Sequence, residues 1–170
     1  MAREREAGEL AQRGAAAAGG ATAARALLRQ ERVAALSTLS VRHPGAPHGS
    51  LVPYALSARG EPLLLLSALA QHSRNLEADP RAALLVFDGA AAAADPRTAP
   101  RLGLTGVVRR LAGREVDDAR ARYLARHPEA RGLLALDFVL YQLAVEEGQL
   151  VAGFGAAGFF GGAELCLPDR

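Results

Sequence analysis

Between two apolar runs, Leu63 to Leu66 and Ala82 to Phe87, the chain gathers Ser67, Gln71, His72, Ser73, Arg74 and Asn75. Hydroxyl, amide, imidazole and guanidinium groups at that density suit the binding of an oxyanion. If a helix starts within His72 to Asn75, its first free N–H groups favour an anion, and these side chains add charge-assisted hydrogen bonds. The same residues also fit a plain strand followed by a helix that Ser73 caps, with Arg74 solvated. Residue types alone leave the two readings level.

The elements around this segment must position it. The run Leu63 to Leu66 is too short for a membrane span and too apolar for a solvated loop, so it reads as a strand covered on both faces. Before it, Val33 to Val41 alternates as a strand with Val33, Ala35, Leu39 and Val41 on one face. His43 to Gly49 is a turn, Ser50 to Ser57 a second strand, and Gly60 turns the chain into the Leu63 run, a three-strand meander. Pro53 cannot donate to a ladder, so it belongs at an edge or bulge, where neighbouring backbone groups are free to bond a planar heterocycle. Asp79 and Pro80 stop the helix, Ala82 to Phe87 is a fourth strand, Asp88 to Pro100 a loop, and Arg101 to Leu111 a fifth strand.

The period then changes. Val116, Ala119 and Tyr123 share a helical face, Asp118 and Arg122 form an i,i+4 pair, and His127 with Pro128 ends the helix. Phe138 to Val145 and Gln149 to Phe154 are expected to form a hairpin across Glu146, Glu147 and Gly148. At the start, residues 1–20 are charged and then Ala/Gly-rich, the pattern of a disordered tail, which leaves residues 21–170 as one domain. Thr22 can cap a short helix through Leu27 and Leu28 to about Gln30. Six or seven mostly antiparallel strands with two or three helices imply a small closed or partly open barrel of mainly β, α+β class.

Composition bounds the function. At 170 residues, 50% hydrophobic and 22% charged, the chain has a globular balance and room for one core. The formal charge is +2 and all 20 basic residues are Arg. Without Lys there is no Schiff-base chemistry, and an anion must be held by Arg, backbone N–H, hydroxyl or imidazole groups. The arginines are interleaved with acids, so no basic stripe for nucleic acid is present. The single Cys166 forms no internal disulfide, and the four histidines lack metal-ligand spacing. No apolar stretch approaches the roughly 20 residues of a spanning helix, so no membrane partner and a cytoplasmic location are expected.

Four blocks of the chain resemble a known family: ALSTLS, GSLVPYALSARGEPLLLLSALAQHSRNLEADPRAALLVF, RLGLTG from Arg101, and RYLARHPEARGLLALDFVLYQLAVEEGQLVAGFG. Together they span about Ala24 to Phe159. They are similar to the FMN-binding split barrels related to pyridoxamine 5′-phosphate oxidase, and within these to the haem-utilisation, HugZ-like branch. The resemblance implies a six- to seven-stranded antiparallel split β-barrel that forms a homodimer with two flavin sites between subunits. It places Ser50, Leu51 and Val52 on the strand beside the isoalloxazine. It places Ser67, Gln71, His72, Ser73, Arg74 and Asn75 around the FMN phosphate, with Arg101 as a contact across the dimer. The chain departs from the oxidase itself. Gln71 and His72 stand where that enzyme has an Arg-Lys pair, its C-terminal substrate motif is not recognisable, and the closing motif reads GFGAA where an Arg commonly follows GFG.

The resemblance therefore implies an FMN-dependent oxidoreductase acting on a small-molecule substrate or reductant. The alternative on the same fold is a haem-binding or haem-degrading protein with His43, His48 or His127 as axial ligand, and a third is a dimeric module without catalysis. Several residues also have plain readings. His43 and His48 fit a solvated turn, Arg101 a surface ion pair, Tyr141 barrel core, and Phe154, Phe159 and Phe160 either a flavin wall or a packed closing strand. Asp79, Asp117, Asp118, Glu146 and Glu147 lie in helix, turn or cap contexts, so none is expected to be a dedicated general base. Cys166 has no neighbouring His to activate it.

Overall fold

The computed structural model of the chain describes residues 19–152 and 157–166. Helix α1 occupies residues 19–30. It is followed by β1 (Val33–Leu39), β2 (Pro47–Leu56), β3 (Pro62–Ser67), α2 (Gln71–Ala78), β4 (Arg81–Phe87), α3 (Gly89–Ala94) and β5 (Arg101–Arg110). Then come α4 (Glu115–Arg126), a 3-10 helix (Pro128–Ala135), β6 (Phe138–Val151), β7 (Ala157–Gly161) and α5 (Gly162–Leu165). The seven strands run in the order β3-β2-β1-β4-β5-β6-β7, every pairing is antiparallel, and β3 also pairs with β6. That last pairing closes a six-stranded barrel, with β7 as an added strand on the far half of β6.

The 14 residues of β6 make the closure possible. Along one edge Tyr141 to Val151 of β6 pair with β5, and along the other its first part, Phe138 to Gln142, pairs with β3 while Glu147 to Val151 pairs with β7. The expected hairpin across Glu146 to Gly148 is therefore not formed. Those residues continue the strand through a bulge, where the register shifts between Thr105 and Gly106 and Glu146 is the extra residue. Gly106 is required there, because a Cβ would overlap the Ala144 carbonyl oxygen. Of the second strand once expected to end at Phe154, Gln149 to Val151 belong to β6, and Phe154 lies outside the described residues.

The barrel interior is filled by alternate residues of every strand, among them Ala34, Leu36, Val52, Tyr54, Leu64, Leu66, Leu84, Val86, Leu102, Leu104, Tyr141 and Leu143. Leu27 and Leu28 of α1, Leu76 of α2, Phe160 and Leu165 join the same core. Strand β3 is buried on both faces, as its composition requires: Leu64 and Leu66 point into the barrel, while Leu63 and Leu65 pack under Ala119 and Tyr123 of α4. On strand β1 the inner face is the one opposite Val33, Ala35 and Leu39. Ala34, Leu36 and Thr38 are buried, and the Val33/Ala35 face points outward.

Other boundaries also moved. The segment expected as a loop after Asp88 contains α3, because the Asp88 side chain accepts from Ala91 N–H at 2.8 Å and so caps an alanine run. Helix α1 already includes residues 19 and 20, so Thr22 lies inside it rather than at its cap, and the rest of the expected N-terminal tail falls outside the described residues. Helix α4 matches its periodicity, with Ala119 and Tyr123 buried, Arg122 Nε 3.0 Å from Asp118 Oδ2, and His127 at its C-cap. No helix among the described residues is long and apolar enough to cross a membrane.

Candidate functional site

Strand β3 delivers Ser67 to one end of the barrel, and α2 begins at Gln71, just before the expected window. No side chain caps α2: Ala70 is the N-cap, and Ser73 sits in the first turn facing inward. The Ser67 hydroxyl donates to the Asp137 carboxylate, and Leu69 N–H reaches both Ser67 Oγ and Asp137 Oδ2 at 3.2 Å. The Ser67 hydrogen bond, with that of Leu69 N–H, holds the Asp137 carboxyl below the usual range. A carboxylate thus occupies the place where Ser67 was expected to meet a phosphate.

The inner face of α2 plugs this end of the barrel. Ser73 Oγ donates to the Ser67 carbonyl at 2.6 Å. Fully buried Asn75 donates from Nδ2 to Thr38 Oγ1 at 2.9 Å, and its Oδ1 accepts from Val41 N–H at 3.1 Å and Gln71 Nε2 at 2.9 Å. Asn75 therefore joins α2 to the end of β1. The His72 Nδ1 lies 3.2 Å from Ser50 Oγ, while its Nε2 is buried without a hydrogen-bond partner among the described residues. Burial, and secondarily the nearby His48, push the His72 imidazole below its ordinary pKa. Arg74 points outward and is exposed.

The remaining expected residues separate. On β2, Ser50 faces His72, Val52 is buried in the core, and Leu51 is 73% exposed on the opposite face. Arg101 opens β5, paired with Phe87 and Val151, and its guanidinium donates to the Ala99 carbonyl at 3.3 Å. Because β4 runs antiparallel to β1, Phe87 and Arg101 lie beyond the Val33 end of the sheet, whereas Asn75 bonds Thr38 and Val41 at the other end. One chain therefore brings together Ser50, Ser67, Gln71, His72, Ser73 and Asn75, and leaves Leu51, Arg74 and Arg101 apart from them.

A second surface escaped the sequence reading. Outward residues fall into two cross-strand rows, Leu51-Ala35-Leu85-Gly103-Gln149-Phe159 and Ser37-Ala83-Thr105-Glu147. Ala35 and Gly103 in the first and Ser37, Ala83 and Thr105 in the second are small, with Gln149 and Glu147 following on β6. Large apolar groups stand beside them, with Leu85 41% and Phe159 65% exposed. Two depressions of about 360 and 300 Å³ share Ser37, Ala83 and Thr105. The first reaches Leu39 and Pro47, the pair that bases the β1–β2 turn. The signal available in the sequence is the apolar set Val33, Ala35 and Leu39 on one face of β1, which the structure turns outward.

The histidines differ in access. His43 is exposed on the β1–β2 turn, and His48 is half-buried on β2. His127 is 3% exposed, with Nε2 2.8 Å from the Tyr54 carbonyl and Nδ1 within 3.3 Å of Arg32 Nη2 and 3.2 Å of Glu129 Oε1. Both its ring nitrogens are engaged by the fold, so the expectation that it serves as an axial ligand has no free nitrogen to rest on. Burial lifts the Cys166 thiol to about 11, consistent with an unreactive cysteine.

Residues 16–163 match the family described as CREG, beta-barrel. The chain belongs to the CREG β-barrel family. Among curated relatives it is 34% identical over 136 residues to the chloroplast heme oxygenase HOZ of Arabidopsis thaliana, covering 79% of this chain and 40% of that protein. It is 28% identical over 143 residues to the heme oxygenase HutZ of Vibrio cholerae, covering 81% of this chain and 79% of that one. Among solved structures, a heme binding protein from Mycobacterium smegmatis superposes with a TM-score of 0.79 at 33% identity, over 86% of this chain and 59% of the other. The chain thus spans two fifths of the Arabidopsis protein and about three fifths of the mycobacterial one. A Clostridium acetobutylicum protein of the pyridoxinephosphate oxidase family shares the fold at 14% identity, with a TM-score of 0.65 over 85% of this chain and 95% of that one. The split-barrel fold and the kinship with haem-utilisation proteins, both expected from the sequence, are borne out.

Proposed function

We propose that the protein binds haem against the outer face of its barrel, between two identical copies, and takes part in haem breakdown or haem iron use. The observation that carries this reading is the outward sheet face floored by Ser37, Ala83, Gly103 and Thr105 and flanked by Leu85 and Phe159. It is shallow, flat and apolar enough for one side of a planar macrocycle, and the relatives named for heme support that choice of ligand. One copy covers only one side of such a molecule. An exposed apolar face of this kind is also what a two-fold partner would cover, so the same surface supports a homodimer as part of the proposal. Bound haem would supply the redox-active iron. The chain would supply the floor of small residues, exclude water there, and offer His43, exposed on the turn that follows the Leu39/Pro47 end of the depression, as ligand, whereas His48 lies on the Ser50 side of β2, away from this face.

FMN is the second reading, favoured by one feature, the uncapped first turn of α2 with exposed Arg74 beside it. Against it, Ser67, Gln71, Ser73 and Asn75 are spent on contacts within the fold, and the Asp137 carboxylate adjoins them. Hemin titration tests the proposal: a saturable Soret change, lost in His43→Ala and kept in His48→Ala, together with a dimer mass by light scattering, is the expected result. A purified protein carrying a flavin spectrum, with hemin binding indifferent to His43→Ala, would reverse the order of the two readings. Cytoplasmic location and the identity of any reductant belong to the same proposal.

A further inference from the structure

Away from the outer face, a cavity of about 450 Å³ opens between α1, β2 and α4, and three of its six lining residues are arginines: Arg29, Arg122 and Arg126. The others are Ala55, Leu56 and Ala125, and no carboxylate lines it. Arg126 is fixed in place. Its Nη2 donates to the carbonyls of Arg29 at 2.7 Å, Gln30 at 3.3 Å and Glu31, satisfying the C-terminal end of α1, and its guanidinium lies 6.0 Å from the Tyr54 ring centroid. Arg32 in turn donates to the Arg126 carbonyl, so the two segments hold each other. These carbonyl dipoles are joined by the Glu31 carboxylate, which lies close enough to interact with the Arg126 charge, so Arg126 is largely balanced within the fold. Arg122 is paired with Asp118 at 3.0 Å, whereas Arg29 is exposed and has no carboxylate partner among the described residues. The cavity therefore keeps its excess positive charge on the exposed Arg29 guanidinium, beside the anchored Arg126 and a small apolar wall.

We propose that this cavity is a binding site for a small phosphate monoester. Guanidinium forks match a tetrahedral oxyanion with several acceptor oxygens, and Leu56, Ala55 and Ala125 give its organic part a place to rest. The site is independent of the haem reading, because the residues of the outer face and those of this cavity do not overlap.

The test is calorimetric and thermal-shift titration of the whole protein with phenyl phosphate and inorganic phosphate, against benzoate and chloride at matched ionic strength. Saturable binding of phenyl phosphate that exceeds both phosphate and benzoate is expected, with Arg29→Ala weakening it by about tenfold, the loss of one charge-assisted contact. Arg126→Ala can unfold the end of α1, so exposed Arg29 is the deciding position, and Arg29→Lys should recover only part of the affinity. No saturable binding at millimolar phenyl phosphate, equal affinity for benzoate, or an Arg29→Ala variant that binds as tightly as the parent would each overturn the proposal. Hemin binding by Arg29→Ala should match the parent, and a loss there would assign Arg29 to the haem site instead.

Discussion

Asn75 offers the sharpest test of whether the polar segment after β3 is a ligand site or a joint in the fold. In Asn75→Ala three hydrogen bonds are lost, to Thr38 Oγ1, from Val41 N–H and from Gln71 Nε2. Net, each is worth about 1 kcal/mol, and a buried partner left unsatisfied raises the loss. Thr38 is 3% exposed and keeps only a 3.5 Å contact from its hydroxyl to the His48 carbonyl. Gln71 is half-buried and can turn to water, so its bond contributes least. Alanine returns some helix propensity, up to about 0.7 kcal/mol. The balance is a destabilisation of about 2 to 4 kcal/mol, read as a lower urea midpoint at unchanged slope and fixed protein concentration. Gln71→Ala should lose less than about 1 kcal/mol. A change below about 1 kcal/mol for Asn75→Ala, with a loss of ligand affinity in its place, would refute the joint and restore the cradle.

Four further outcomes follow from the structure. The His72 imidazole has a folded pKa below the ordinary 6.5, so the unfolded chain binds the proton more readily; the stability it contributes is present above about pH 6.5 and is lost as pH falls through the folded pKa, and His72→Gln should flatten that part of the stability-pH curve. Gly106→Ala should destabilise by at least about 2 kcal/mol, since its Cβ meets the backbone of β6 at Ala144 and Glu146, and thermal melting at parental stability would contradict the bulge. Tyr54→Phe removes the 2.8 Å bond from its buried hydroxyl to the Leu28 carbonyl and should lower stability by about 1 to 2 kcal/mol in chemical denaturation. Leu85→Arg should convert a dimer to monomer in light scattering and weaken hemin binding in parallel; a dimer that survives it would place the interface elsewhere.

Much of the fold was legible because its strands carry strong local signals. The β3 run is apolar on both faces and is buried on both, and the α4 periodicity survives intact to His127. The β6 error has a physical origin. Glu146, Glu147 and Gly148 have the composition of a turn, but Gly148 is small because the Leu165 and Leu104 side chains press against it, and the glutamates are simply the outward residues of a bulged strand. Helix α3 was missed although Asp88 carried the cap, because an alanine run without an apolar stripe shows no period. Which face of β1 points inward depends on a choice between two half-apolar faces, and Thr38 hides the inner one: its hydroxyl is spent on Asn75, a partner that sequence spacing does not reveal.

The outward face of β1 governs the functional reading. When the polar residues after β3 are taken as ligand groups, the ligand is drawn to the barrel end; once Ser73 and Asn75 are seen bonded to Ser67 and Thr38, little of that chemistry is left for a ligand. The outward face of β1 and its neighbours then becomes the surface whose composition needs explaining, since Val33, Leu51, Leu85 and Phe159 are all at least 40% exposed. Singly, exposed apolar residues are ordinary, but Leu51, Leu85 and Phe159 share one cross-strand row with Ala35, Gly103 and Gln149 between them. A second copy laid on that row would bury the large side chains while the small ones leave a gap between the two sheets. A flat apolar molecule filling that gap would lose both of its faces to protein, so under the proposed function dimerisation and ligand binding are one event.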